Sequence, residues 1–493
     1  MNSLVRALAL AIRDTPGQPA LVWHGTEISY GDLGELTDRY RTLIRGLDPT
    51  EGPALALVAK KSPEAVAIVL AALMERRPLL LPSAELGSTT LDKLVAQAGC
   101  RHVLTLTPRT GTDPQPQVRS TPVPDPVEVD HADTALMLTT SGSTGIPKIV
   151  PLPADALDRF TDWAAEQFGI DGNSTVFNYA PLNFDLCLLD IWATLKAGGR
   201  AVLVDQDRAA NPVHLRELLR TTRPDVLQAV PMLYRLLLEP GDEQEGGFPG
   251  VRHVMVTGEA AGSAVLDALP ELFPDARFHN IYGCTETNDS FLYEIPGTGD
   301  ISDADRLPIG RPLPGVSQLL ITSDGSVLDG PGEGELVVST PFQATGYLNA
   351  PEAQKAFVRR DDSSRVWYHT GDLVHRDADG VLTLLGRNDF QVKVRGVRIN
   401  LLDVEHALLE HEAVAEAAVV AIADPSAGKS LRAVVRRVPG SGLGGLQLRE
   451  HCAKRLVRTA IPARVHITED ALPRTGTGKV DRQAITLALT TGK

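Results

Sequence analysis

Short apolar runs at 54–58 (ALALV), 102–106 (HVLTL), 201–204 (AVLV), 226–230 (VLQAV) and 253–257 (HVMVT) alternate with longer stretches at 63–77 and 211–225 whose apolar residues recur at helical spacing. Runs of the first kind suit strands buried on both faces, and the alternation is that of βα units around mainly parallel sheets. The pattern changes beyond Gly310. There, 315–340 (GVSQLLITSDGSVLDGPGEGELVVST) breaks into short strands with glycine turns, and a hairpin is expected around Asp377 and Gly380. The β-rich part ends near Gly386. The last hundred or so residues alternate again, with helices expected at 401–414 and 444–457 between strands at 415–424 and 430–438, enough for a small α+β domain. Between them, 107–133 is rich in Pro, Thr and Asp and reads as an extended surface connection.

Length and charge narrow the picture. With 493 residues, 43% of them hydrophobic, the chain is too long for one core. A net charge of −14 without a long basic run disfavours a nucleic-acid partner. Four cysteines, Cys100, Cys187, Cys284 and Cys452, lack the spacing of a zinc site or a disulfide framework. The first residues, MNSLVRALALAIRDT, are broken by Arg6 and Arg13 at helical spacing, too short for a membrane span and without a cleavage-like site. An amphipathic first helix in a cytoplasmic protein with no membrane partner is the expectation.

Candidate chemistry is concentrated in five segments. In 138–150 (LTTSGSTGIPKIV), Thr140, Ser141, Gly142, Ser143, Thr144 and Gly145 are followed by Lys148. Such a cluster can turn backbone N–H groups and hydroxyls toward one polyphosphate, with the lysine adding a cation. It is not a Walker loop, because Ile146 and Pro147 separate the last glycine from the lysine. In 280–287 (NIYGCTET) a glycine lets the chain turn and Glu286 can face a metal, although a strand end with a capped helix fits too. At 368–372 (YHTGD), Asp372 can accept from both hydroxyls of a ribose, and the same residues suit a tight turn. The segment 386–400 (GRNDFQVKVRGVRIN) also reads as a basic β-hairpin, and 472–482 (LPRTGTGKVDR) offers Lys479, with Val480 and Pro473 breaking any P-loop pattern.

Taken in this order, the segments resemble the motifs of the adenylate-forming superfamily, and within it free-standing amino-acid adenylation enzymes of the nonribosomal peptide synthetase type. The resemblance runs from 28–33 (ISYGDL) to Arg482. It implies a multidomain α/β fold: a large N-terminal domain, 1–387, of two βα-sheet subdomains plus a small β-barrel-like subdomain (about 310–387), then a small mobile α+β domain, 388–493. It implies an enzyme using ATP and Mg²⁺, with Lys148 at the phosphates, Asn280, Tyr282, Gly283 and Thr285 around the adenine, Glu286 on Mg²⁺, Asp372 on the ribose, Arg387 on the nucleotide and Asp389 at the hinge. Lys479 would enter the site and stabilise the charge that builds as a carboxylate attacks the α-phosphorus.

Asp185, in 183–185 (NFD) ahead of 190–192 (DIW), occupies the place that binds the substrate's α-ammonium in amino-acid adenylation enzymes. A buried carboxylate is costly unless it meets a cation, so this one implies an amine in the substrate. An Asp that caps the following helix is the alternative. The remaining pocket positions project onto Leu186, Leu189, Gln228, Met255, Thr257, Gly258, Ile281, Asp289 and Ser290, with Lys479 at the substrate carboxylate. This wall admits a small polar, diamino or proline-like acid. The implied second step passes the aminoacyl group to the phosphopantetheine thiol of a separate peptidyl carrier protein in an antibiotic or other natural-product pathway. An acyl- or aryl-CoA ligase and a silent ATP-binding scaffold are the competing readings. Two places depart from the resemblance: 74–78 (MERRP) lacks a usual glycine, and Thr345 stands where arginine is common. The HxxxDG match at 375–380 is read as a turn.

Overall fold

The computed structural model describes residues 3–47, 53–107, 117–131, 133–140, 146–239, 246–296, 307–348, 350–360, 365–387, 390–424, 428–438, 440–474 and 480–491. The chain forms two compact units. One holds Met1–Pro82, Val95–Thr139 and Ile149–Asn388; the other holds Ser83–Leu94, Thr140–Lys148 and Asp389–Lys493.

The first helix, Ser3–Asp14, is amphipathic as its pattern requires, burying Leu4, Val5 and Leu8. Helix α1 (Pro63–Met74) is apolar all round and buried along its length, with Ser62 capping the Ala65 N–H at 3.2 Å and proline at the first position. Six strands make a sheet in the order Gln117–Pro122, Cys100–Thr107, Ala54–Val58, Leu79–Leu80, Thr134–Thr140, Lys148–Pro153. The expected surface connection is thus partly a strand: 117–122 pairs antiparallel with 102–107 at the edge of this sheet.

The larger sheet carries most of the described residues expected at the site. After helix α2 (Ala154–Phe168) come β1 (Thr175–Asn178), helix α3 (Pro212–Thr222), β2 (Val226–Ala229), helix α4 (Pro231–Leu238), β3 (His253–Thr257), helix α5 (Ser263–Leu272) and β4 (Arg277–Cys284). Strands β1 to β4 lie side by side and parallel, in register Val226↔Val176, Leu227↔Val254 and Val254↔Phe278. One face buries Phe177, Leu227, Ala229, Val254, Val256 and Phe278 against α3, α4 and α5. The other turns Met255 and Ile281 toward α2 and the segment after β1.

Strand β5 (Asn288–Ile295) returns antiparallel to β4, and β6 (Pro308–Pro312) pairs with it. β6 also pairs with β8 (Leu382–Arg387), which is hairpinned to β7 (Val366–Arg376). The β-rich part is joined through β6 to the strands of the site-bearing sheet, fourteen strands being hydrogen-bonded in one path. The β7–β8 turn lies where expected, the Asp377 carboxylate accepting from the Asp379 and Val381 N–H groups at 2.9 and 2.8 Å.

In the second unit, strands Val414–Asp424 and Gly428–Arg437 pair antiparallel and Arg464–Thr468 joins in parallel. Helices α6 (Leu401–Leu409) and α7 (Gly445–Ala453) match the expectation. A further helix, α8 (Arg482–Thr491), was not expected; it buries Ile485 with Ala418, Val420 and Ile422 while Leu487 stays exposed, a stripe too thin to announce itself. The hairpin reading of 386–400 also holds in part, since Gln391–Val394 and Val397–Asn400 pair about Arg395 and Gly396, both at positive φ as a tight primed turn demands.

Candidate active site

Three of the expected nucleotide groups meet where β4, β5 and β7 come together. The register shifts between Tyr282 and Gly283, so Gly283 lies opposite Asp289. A Cβ at Gly283 would come within 2.4 Å of the Asn288 carbonyl oxygen. The glycine thus permits close approach of two backbones and does not make the turn. The turn is Cys284–Thr287, closed by Thr287 N–H to Cys284 O at 3.0 Å, with Asn288 taking positive φ. No capped helix follows.

This hairpin carries half-buried Thr285 and fully buried Glu286. Tyr347 donates to Glu286 Oε1 at 2.5 Å, and its oxygen lies 3.2 Å from that of Tyr368. Tyr282 donates to Asp372 Oδ2, and the Arg387 guanidinium holds Asp372 Oδ1 and the Thr370 carbonyl oxygen, the latter at 2.8 Å. Burial and the adjacent Asp372 push the Tyr282 phenol well above its ordinary range, so it remains a donor. Asn280 spends its Nδ2 on the Pro308 carbonyl oxygen at 2.7 Å. Thr140 ends its strand with its hydroxyl buried and, among the described residues, without a protein partner, the condition of a donor awaiting an acceptor. Ser141, Gly142, Ser143, Thr144, Gly145, Asp389 and Lys479 lie outside the described residues; Arg474 and Val480, on either side of 475–479, form an antiparallel bridge. Lys148 opens its strand half-buried.

The donor set fits a nucleotide and a hard cation. Among the described residues no cluster of three or more His, Cys, Asp or Glu side chains forms a metal cage. A cation at Glu286 would be held by that carboxylate with phosphate and water completing its shell, a usual mode for Mg²⁺.

The expected pocket positions share one face of the parallel strands. Gln228 and Met255 are register partners, as are Thr257 and Ile281, and all four are buried. Gly258 follows at positive φ. Leu189 is fully buried and Leu186 half-buried. Asp289 is buried on β5, whereas the Ser290 hydroxyl turns to Thr287 Oγ1 and Asn288 O at 3.1 and 3.2 Å.

One expectation needs correction. Asp185 is only half-buried, in a turn where its carbonyl accepts the Leu188 N–H at 2.8 Å; the deeply buried carboxylate is Asp190, five residues on. The chain winds into a π-helix over Leu188–Ala193, which carries Asp190 beneath the sheet's polar face. There Asn178 Nδ2 donates to Asp190 Oδ2 at 3.0 Å, while Oδ1 has no partner among the described residues. Burial raises the Asp190 carboxyl well above the usual range, opposed by Asn178 and Lys61 and reinforced by Asp289. Sequence reading also missed Lys61, Asn178, Tyr347 and Tyr368. A signal existed for Lys61, since a lysine two residues ahead of a helix that is apolar except for Glu64 has little solvent face to occupy.

The sequence matches the AMP-binding enzymes over residues 8–348 and the AMP-binding enzyme C-terminal domain over 403–479. It is 32% identical to the L-proline–[L-prolyl-carrier protein] ligase of Pseudomonas fluorescens, over 95% of this chain and 96% of that one. It is 29% identical to the D-alanine–D-alanyl carrier protein ligase of Bacillus velezensis, over 93% and 94%. Among solved structures it resembles IdnL1, with a TM-score of 0.79 at 27% identity over 95% of this chain and 98% of that one. The Vibrio cholerae adenylation domain AlmE, solved with glycyl-adenosine-5'-phosphate, gives a TM-score of 0.83 at 21% identity over 100% and 98%, a likeness of fold.

Proposed function

The chain belongs to the AMP-binding enzymes, and we propose that it activates an amino acid with ATP as the aminoacyl-adenylate, releasing pyrophosphate, and then passes the aminoacyl group to the phosphopantetheine thiol of a separate carrier protein. The observation that carries the reading is the cluster of Tyr282, Glu286, Asp372 and Arg387 from three separate segments, at the edge of strands whose polar face bears the amino-acid positions.

In this reading Asp372 takes the ribose hydroxyls and Arg387 steadies it. Glu286, its orientation fixed by Tyr347, would hold Mg²⁺, which when bound would supply positive charge to offset that of the phosphates. Lys148 and the 140–145 segment take the phosphate chain. Lys479 enters from the second domain to meet the substrate carboxylate and the charge developing on the α-phosphoryl group. Asp185 meets the α-ammonium, and its partial exposure suits a group that must receive a cation from solvent. Leu186, Leu189, Met255, Thr257 and Ile281 favour a small amino or imino acid, a choice supported by relatives that act on proline and D-alanine. The domains divide at 387/388, with Asp389 the hinge on which the small domain turns between adenylation and thiolation. A cytoplasmic enzyme serving a free-standing peptidyl carrier protein in a natural-product pathway completes the proposal; the four free cysteines suit a reducing compartment.

The test is intact-protein mass spectrometry of a phosphopantetheinylated carrier protein incubated with the enzyme, ATP, Mg²⁺ and an amino-acid pool. The carrier should gain one aminoacyl group in thioester linkage. Acyl-CoA formation from simple carboxylic acids, with the carrier unmodified, would replace this reading by that of a CoA ligase.

A further inference from the structure

Lys61 is 2% exposed, yet it lies far along the chain from every motif that placed the active site. Its ammonium meets Asn178 O at 2.9 Å, Asn178 Oδ1 at 2.7 Å and Ala180 O at 2.9 Å, with Tyr179 O more distant at 3.4 Å. Three protons thus find three close acceptors, all where the chain leaves β1. The same Asn178 donates through Nδ2 to Asp190, in the π-helix that begins after the Asp185 turn. Between these two anchors the backbone makes local turn bonds, Phe184 N–H to Pro181 O at 3.0 Å and Cys187 N–H to Phe184 O at 3.1 Å, the Cys187 thiol lies on Pro181 O at 3.2 Å, and the Tyr179 hydroxyl donates to Ala209 O at 3.1 Å.

We propose that the buried chain Lys61–Asn178–Asp190 is the positioning device of the amino-acid site: it fixes both ends of the 179–189 segment and so aims Asp185 at the substrate ammonium. None of the three residues needs to touch the substrate. The inference deepens the proposed function and rests on its assignment of Asp185.

Burying a lysine and an aspartate is costly, and well-packed apolar residues of the same volume usually serve stability as well or better. A stabilising role alone therefore gives little reason for an ammonium here. Geometry gives one, because a tetrahedral three-proton donor gathers successive carbonyl groups of an irregular segment that a helix or sheet would otherwise satisfy. Burial lowers the Lys61 ammonium to about 8, while Cys187, Asp190 and Asp205 act to keep it charged.

The experiment is ATP–pyrophosphate exchange with L-proline, or with whichever amino acid supports the highest exchange, on Lys61→Met, Lys61→Arg, Asn178→Ser and Asp185→Asn. Circular dichroism and thermal unfolding confirm that each variant is folded. Lys61→Met keeps the stem and removes the donors; it should raise the amino-acid KM by about tenfold or more while the KM for ATP stays within about twofold. Lys61→Arg, which retains charge and donors, should recover most of that loss. A purely structural lysine would instead lower the folded fraction, and with it kcat, at unchanged KM. Should Lys61→Met fail to fold, Asn178→Ser decides by the same KM criterion, since it cuts the link to Asp190 and leaves Lys61 on its carbonyl groups. If Asp185→Asn raises the amino-acid KM but the folded Lys61 or Asn178 variants do not, the positioning role is overturned and the function stands. If Asp185→Asn leaves that KM unchanged, the assignment of Asp185 fails and the inference falls with it.

Discussion

Strands β1 to β4 have two faces of different character. The face toward α3, α4 and α5 is hydrocarbon, with Phe177, Leu227, Val254, Val256 and Phe278 packed at or near full burial. The opposite face, on the same strands one residue out of phase, carries Asn178, Gln228 and His279 beside Met255 and Ile281, with Lys61 and Asp190 bonded to Asn178. Both faces are equally dry. Burial of apolar surface stabilises by about 25 cal/mol per Å², whereas each buried polar group needs a partner merely to break even. The first face therefore holds the fold together, and the second tolerates an energetic handicap because it carries the site.

That contrast sets what substitutions should do. The largest effect belongs to Glu286→Gln at the rim of the polar face: kcat for exchange should fall by on the order of 10²–10³ with the melting temperature nearly unchanged, since what is lost is charge opposite the phosphates. Leu227→Ala on the apolar face should do the reverse, costing about 3 kcal/mol in urea unfolding while both KM values hold. A shift in amino-acid KM for Leu227→Ala would erase the distinction between the faces.

The polar face should also govern acid sensitivity. His279 is buried in contact with His253, their ring nitrogens 3.1 Å apart, and burial, with His253 and Arg277 adding to it, lowers its imidazole to about 4. The unfolded chain takes up that proton near pH 6.5 and the folded chain only near 4, so stability falls as pH drops through this window, by at most about 3 kcal/mol. His279→Phe should flatten the decline, as urea midpoints at pH 7 and 4.5 will show. Smallest is Tyr347→Phe, which removes one hydrogen bond to Glu286; exchange should slow by roughly tenfold and the Mg²⁺ requirement should shift upward.

The two faces were not equally legible in sequence. Apolar runs such as HVMVT announce a buried strand directly, and the βα rhythm followed from them. Motif order likewise brought Tyr282, Glu286, Asp372 and Arg387 into one account, although Gly283 proved to be a point of close backbone approach and not the turn. Hidden were the groups whose role depends on a distant partner. Lys61 and Asn178 are separated by 117 positions and nothing local marks either as the other's ligand. The deep carboxylate of the Asp185 segment turned out to be Asp190 because a π-helix, which no short periodicity signals, rotates that residue inward. The helix α8 escaped for a simpler reason: Ile485 and Leu489 alone make its buried stripe.

The most direct test of the account is ATP–pyrophosphate exchange across proteinogenic, diamino and imino acids, with carboxylic acids lacking an α-amine as the comparison set. The account predicts exchange with one or a few small amino or imino acids, lost by about 10²-fold or more in Lys479→Ala. Exchange only with acids that have no α-amine would contradict it, and with it the role proposed for Asp185.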